Sequence, residues 1–172
     1  MRRTEVALVW SIDRSELIER VYRYDSGKLI LTPERHDVSG WEDATIGAYA
    51  PWLLDCFDRG GTFFGAFEAD QLVGVSVLES RFISEAKDQL QLTFLHIGRS
   101  HRRSGLGRRL FDLAARRARE LGARRLYISS TPSENTVEFY LHMGCRVTDD
   151  VNPELLAAEP EDIHLEYSIP GE

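Results

Sequence analysis

Apolar positions recur in two rhythms along this chain, and the change falls near Thr62. Before it the spacing is mostly helical. Asp13-Arg14-Ser15-Glu16 has the form of a capping box, an acid at the cap and Glu three residues on, followed by Leu17, Ile18, Val21 and Tyr22 at helical spacing. This predicts a helix to about Arg23. Ahead of it, the periodicity of Thr4 to Trp10 does not decide between a strand and the first turns of a helix. Asp25-Ser26-Gly27 is a turn, Lys28 to Thr32 and His36 to Val38 read as short strands, and Trp41 to Phe57 reads as helix, ended near Gly60-Gly61, with Pro51 as a kink or boundary.

From Thr62 the rhythm shortens to that of a sheet. Thr62 to Glu68, a turn at Ala69-Asp70, and Leu72 to Phe82 predict a hairpin, with Gln89 to Ile97 as the next strand. A helix from Leu106 to Leu121 places Leu110, Leu113, Ala114 and Leu121 inward and its arginines outward. Arg125 to Ser129 is a strand. Thr131-Pro132-Ser133-Glu134 starts the last helix, with Thr131 as cap, and that helix carries Phe139-Tyr140 and closes at Gly144-Cys145. Asp162 to Ser168 is a final strand.

Length and composition narrow the class. At 172 residues the chain suits one sizeable core and is short for two. No apolar stretch approaches a membrane span, and Val6 to Trp10 is too brief for the core of a secretory signal, so a cytoplasmic protein without a membrane partner is expected. Cys56 and Cys145 lack metal-like spacing and read as reduced, partly buried thiols, with no metal site expected. Of the 21 Lys and Arg residues, ten are arginines between Arg99 and Arg125, against only Asp112 and Glu120 as acids there, while the whole chain carries a net charge of −7. The acidic remainder would repel a nucleic acid at any extended interface, so none is expected as a partner. Arg102, Arg103, Arg108 and Arg109 instead suit one small polyphosphate, and Arg116, Arg117 and Arg119 a solvated helix face.

The segment Arg102-Arg103-Ser104-Gly105-Leu106-Gly107 lies between the strand ending at Ile97 and the helix beginning at Leu106. Glycines let the main chain turn and approach an anion closely, and a helix start offers unpaired N–H groups at its positive end. A dinucleotide GxGxxG motif would need a third glycine at position 110, which is Leu110.

Strand, RxxGxG loop, helix, strand, and a helix with Phe139-Tyr140 ending at a glycine resemble the GNAT superfamily of N-acetyltransferases, specifically over residues 62 to 147. The resemblance implies an α/β protein with the GNAT acyl-CoA N-acyltransferase fold, a mixed, mostly antiparallel central sheet flanked by helices. It implies acetyl-CoA as cofactor, held by Leu95, His96 and Ile97 along the pantetheine arm, by Arg102, Arg103, Ser104, Gly105, Leu106, Gly107 and Arg108 at the pyrophosphate, and by Ser133, Asn135 and Tyr140. One N-acetyltransferase domain over 1–172 is expected: 1–61 on the acceptor side, 62–147 as the cofactor core, 148–172 as the C-terminal strand region. The implied reaction moves an acetyl group to a primary amine of a small molecule or peptide by direct attack in a ternary complex. Tyr140 matches the general acid that protonates the departing thiolate. The alternative is a non-catalytic acetyl-CoA sensor or interaction module; a homodimer is the default assembly for a small enzyme.

The chain departs from the family where a base belongs. Relatives carry Glu or His on the strand before the loop; here those positions are Gln91 and Thr93, which accept no proton at neutral pH. Strict alternation puts His96 on the opposite strand face, which a bulge would reverse. Glu79 is a further weak candidate, and the base stays unassigned. Where the family often has a cofactor-contacting Asn, this chain has Ser133, with Asn135 two residues on. The acceptor-side candidates Asp13, Glu16, Gln91 and Thr93, with Glu19, Asp43 and Asp55 among Trp41, Tyr49 and Trp52, favour a cationic amine.

Overall fold

In the computed structural model, residues 1–171 are described; Glu172, the end of the expected C-terminal region, lies outside the described residues. A six-stranded sheet runs in the order β3-β4-β5-β6-β8-β7, formed by β3 (Thr62–Glu68), β4 (Gln71–Phe82), β5 (Gln89–Ile97), β6 (Arg125–Ser130), β8 (Ile163–Ser168) and β7 (Arg146–Val147). Every pairing is antiparallel except β5 with β6, because α2 (Leu106–Glu120) crosses over between them. One sheet face carries α2 and α3 (Glu134–His142), where Phe111, Leu126, Ile128, Val137 and Tyr140 share a core. The other carries α1 (Asp43–Asp58) and a 3-10 helix over Arg3–Ser11, packed with Phe63, Val75, Val77 and Phe94. A separate hairpin, β1 (Glu16–Asp25) with β2 (Lys28–Val38), lies with β1 against α3 and β8.

The first third departs most from its sequence rhythm. The helix expected over Asp13 to Arg23 is strand β1, because the Asp13 carboxylate accepts from Ser15 N–H at 2.9 Å in a local turn instead of capping a helix. Ser26 (φ 48°) and Gly27 (φ 84°) then form a two-residue hairpin turn with both dihedrals positive, which feeds the backbone groups of β1 into β2. The two short strands expected from Lys28 to Val38 are one continuous β2. At the N-terminus the undecided segment is a 3-10 helix, whose period of three aligns Val6, Val9 and Ile12 inward.

α1 runs unbroken through Pro51, and the hairpin and strand predicted from Thr62 to Ile97 form as expected. In α2 the buried stripe is Leu110, Phe111, Ala114, Ala115 and Ala118; Leu121 is exposed, a correction to the predicted inward face, because the helix ends at Glu120. Ser133, not Thr131, stands at the cap position of α3, its hydroxyl on the Thr136 side chain and not on a backbone N–H, while Pro132 O before it accepts from Tyr22 N–H at 2.7 Å. The short β7 and α4 (Pro153–Ala158), which begins at Asn152 with a side-chain cap, carried no periodicity to predict them. Cys56 and Cys145 are free and buried. No helix among the described residues is long and apolar enough to cross a membrane.

Candidate active site

The sheet opens at its middle. β5 and β6 pair only over Gln89↔Arg125, Leu90↔Leu126 and Gln91↔Tyr127, then separate into a wedge whose β5 side is Leu92 to Ile97. Against β4, Val77 pairs with Phe94 but Leu78 with Leu92, so Thr93 is an extra residue: a bulge. It reverses the alternation beyond it. Leu90 and Leu92 point to the α2 core, whereas Phe94 and His96 point to the opposite face, where His96 stands edge-on to Trp41 at 4.8 Å. His96 therefore shares the face that parity gives Gln91, and the opposite-face placement from strict alternation is corrected.

The strand's end leads into the glycine loop. Arg102 does not point into solvent: Nε donates to Ile97 O and Nη2 to Arg14 O, both at 3.2 Å, and Nη1 lies 3.4 Å from a Glu16 oxygen. It ties the loop to β5 and to the segment before β1. Arg103 (φ 62°) and Gly105 (φ 84°) take the left-handed conformation, and the Ser104 hydroxyl donates to His101 O at 2.6 Å and accepts from Leu106 N–H at 3.4 Å. The first turn of α2 then presents Gly107 and Arg108 N–H groups at its positive end. A Cβ on Gly107 would stand 3.2 Å from the Phe139 ring, so this glycine allows α2 and α3 to meet at the head of the wedge. Arg103 and Arg108 are exposed and, among the described residues, in no ion pair. These features fit a pyrophosphate: a main chain free to approach, helix-end donors and two uncommitted cations.

Tyr140, in the turn of α3 beside Phe139, is 5 % exposed and packs against Phe111. Burial raises its pKa, so the phenol keeps its proton. His96 is pushed down to about 3 by burial and by the positive charges of Arg14 and Arg102, and it is neutral at pH 7. Glu79 is committed elsewhere, to a bidentate pair with Arg59 at 2.9 and 3.0 Å. Burial alone would raise its pKa, but Arg59, with Cys56 and Ser80, holds it below its usual range. Ser133 is buried with its hydroxyl on Thr136, and Asn135 donates to Glu16 at 2.8 Å. Asp13 serves the local turn and Glu16 bridges Arg102 and Asn135, so neither lines an open acidic pocket as expected. Asp55 is paired with Arg59.

Opposite the α2 face, β1 crosses the mouth of the wedge: Val21 bridges to Ser133 and Arg20 pairs with Glu134 at 2.7 Å. Below it stand Trp41, Phe94 and Tyr49, with the Arg14 guanidinium 4.6 Å from the Trp41 ring centre. The far wall is the loop 159–162, of which the sequence pattern predicts only Asp162, as the first residue of a final strand that in fact begins at Ile163; there Tyr49 donates to Glu159 at 2.7 Å and Ser129 to Asp162 at 2.8 Å. Nothing in its composition marks it. Only the pairing of β8 with β6 brings it beside the wedge.

Residues 24–145 match the family model of the acetyltransferase (GNAT) family, and the chain belongs to that family. That family is one of acetyltransferases, so the chain is a GNAT-type acetyltransferase. Among solved structures it is similar to nourseothricin acetyltransferase (TM-score 0.70, 19 % identity, covering 99 % of this chain and 96 % of that one). It is also similar to a candidate streptothricin acetyltransferase from Bacillus anthracis bound to acetyl coenzyme A (TM-score 0.63, 15 % identity, 100 % and 95 % covered). An aminoglycoside 6'-N-acetyltransferase complexed with coenzyme A matches over 77 % of this chain and 83 % of its own, with TM-score 0.59 and 16 % identity. No curated protein sequence matches the chain significantly.

Proposed function

We infer that this enzyme acetylates a primary amine of a small cationic molecule by direct attack in a ternary complex. The observation that carries this is the wedge: a sheet parted at a bulge, with the glycine loop at its head, a protonated tyrosine on one face and an aromatic wall on the other. Bound there, acetyl-CoA supplies an activated acyl carbon. The main chain of Leu95, His96 and Ile97 pairs with the pantetheine arm where β6 has parted from β5, since those groups have no strand partner on that side. Gly107 and Arg108 N–H groups, with the Arg103 and Arg108 side chains, hold the pyrophosphate, while Arg102 acts through the loop it ties down. Tyr140 donates a proton to the leaving sulfur. Trp41, Phe94 and Tyr49 receive the acceptor, and full-length similarity to structures named for nourseothricin and streptothricin acetyltransfer supports an amine-bearing small molecule.

The test is titration with acetyl-CoA followed by thiol release against polyamines, amino-sugar antibiotics and lysyl peptides. Tyr140→Phe is expected to keep cofactor affinity and to lose about 10²-fold in turnover, the low end for general acid catalysis. Unchanged turnover in that variant removes Tyr140 from the mechanism.

A further inference from the structure

Carboxylates drawn back into the sheet are met by arginine: Glu79 by Arg59, Glu166 by Arg125 and Arg146, Asp88 by Arg125. Asp162 differs. It is half-buried immediately before β8, accepts from the Ser129 hydroxyl at 2.8 Å, and among the described residues forms no ion pair. Its position is held from several sides. Ile163 pairs with Ser130 at the end of β6, Asp162 N–H donates to Glu159 O at 3.2 Å, Tyr49 of α1 donates to the Glu159 carboxylate, and Arg23 of β1 reaches Glu161 at 3.4 Å. Because Ile128 faces the α2 core, alternation turns Ser129, and with it Asp162, toward the face of Phe94 and His96.

We propose that Asp162 is the general base: it receives the proton of the acceptor ammonium, which Asp162 and Glu159 first hold as a cation. The assignment rests on the acetyltransfer reading above. The other candidates do not serve: Gln91 and Thr93 accept no proton, Glu79 belongs to Arg59, and His96 is too weakly basic. The groups facing Asp162 agree. Its charge opposes ionisation of Tyr140 from α3, Tyr49 from α1 and Tyr127 from β6, Glu159 is the charged group facing it, and His164 two residues on is turned to Tyr127 at 2.6 Å. Burial, opposed by the Ser129 hydrogen bond and aided by Glu159, lifts its pKa to about 6, so it is ionised and basic at neutral pH.

One N–H bond of the ammonium breaks and its proton passes to the Asp162 carboxylate, leaving a neutral amine. The nitrogen lone pair forms the C–N bond to the acetyl carbon while the C–S bond breaks and its electron pair goes to sulfur. Tyr140 gives its proton to that sulfur and regains one from the nitrogen, and Asp162 returns its own to water. Each acetyl transferred thus releases one proton.

The experiment compares the wild-type protein with Asp162→Asn, using acetyl-CoA and spermidine, an aminoglycoside and a lysyl peptide as acceptors. Expected are an acetyl-CoA affinity within about threefold of wild type and kcat/KM lower by about 10²-fold or more at pH 7. The pH profiles should also part: wild type levels off above about pH 7, whereas the variant rises tenfold per pH unit with the fraction of free amine. A readout independent of turnover is the carbon-13 carboxyl signal missing from Asp162→Asn, expected to titrate near pH 6 in the wild type. Titration below pH 4.5, variant activity within fivefold of wild type, or a loss equal at every pH overturns the base assignment alone. A wild type that binds acetyl-CoA but releases no thiol with any amine overturns the acetyltransfer reading, and the assignment falls with it.

Discussion

Gly105 and Gly107 sit two residues apart and do different work. Gly105 precedes α2 with φ at 84° and open space around its missing Cβ, so its role is conformational. Gly105→Ala should therefore lower stability by about 1 kcal/mol in denaturant unfolding, with Gly105→Asn costing less. Gly107 has an ordinary φ, and its constraint is the Phe139 ring at 3.2 Å. Gly107→Glu would push α3 from α2 and set a negative charge among the first-turn N–H groups, so titration should detect no acetyl-CoA binding. The motif itself revealed both glycines but not the difference between them, because spacing carries neither φ nor neighbours. Arg102 shows the same gap: it belongs to the pattern, yet it spends its donors on Ile97 and Arg14 carbonyls.

At the scale of elements, the placement of α1 depends on a pair that sequence suggested only as a weak base candidate. Arg59, just past the end of α1, binds both oxygens of Glu79 on β4 and also reaches Asp55, which fixes the helix end against the sheet. Arg59→Ala leaves a carboxylate of 8 % side-chain exposure without its cation and should cost about 3–5 kcal/mol in unfolding free energy. Arg59→Met with Glu79→Leu should recover most of that loss; failure to recover it would mean that the pair does more than compensate its own burial. The β1 hairpin likewise takes its conformation from distant partners and not from its own pattern. Leu17, Ile18, Val21 and Tyr22 satisfy a helical template locally, but pairing with β2 and the bridge from Val21 to Ser133 decide the conformation.

Across the whole molecule, Asp162 links catalysis to stability. An unfolded aspartate titrates near 3.9, and in the folded chain Asp162 is lifted to about 6, so the folded state binds this proton more tightly. The folded state is favoured below about pH 4, where both states are protonated. That advantage is lost as pH rises to about 6, above which the full penalty stands. Asp162→Asn should consequently be more stable than wild type by about 1–2 kcal/mol at pH 7.5, after allowance for partial exposure, and no more stable near pH 4. Equilibrium unfolding at the two pH values checks this, and a less stable variant at pH 7.5 would place Asp162 among structural carboxylates.

The sheet from Thr62 to Ile97, the glycine loop, α2 and α3, and through them the family, are legible in the chain alone, because each rests on local periodicity, turn chemistry or motif spacing. The remainder depends on contacts between distant segments. The bulge at Thr93 and the parting of β5 from β6 arise from register between strands, which no single strand encodes. The hairpin over Glu16 to Val38 and the 159–162 loop reach the wedge through partners more than a hundred residues away, as Arg20 to Glu134 and Tyr49 to Glu159 show. A carboxylate acquires basic character from what surrounds it, and at Asp162 those surroundings come from α1, β1, β6 and α3 together.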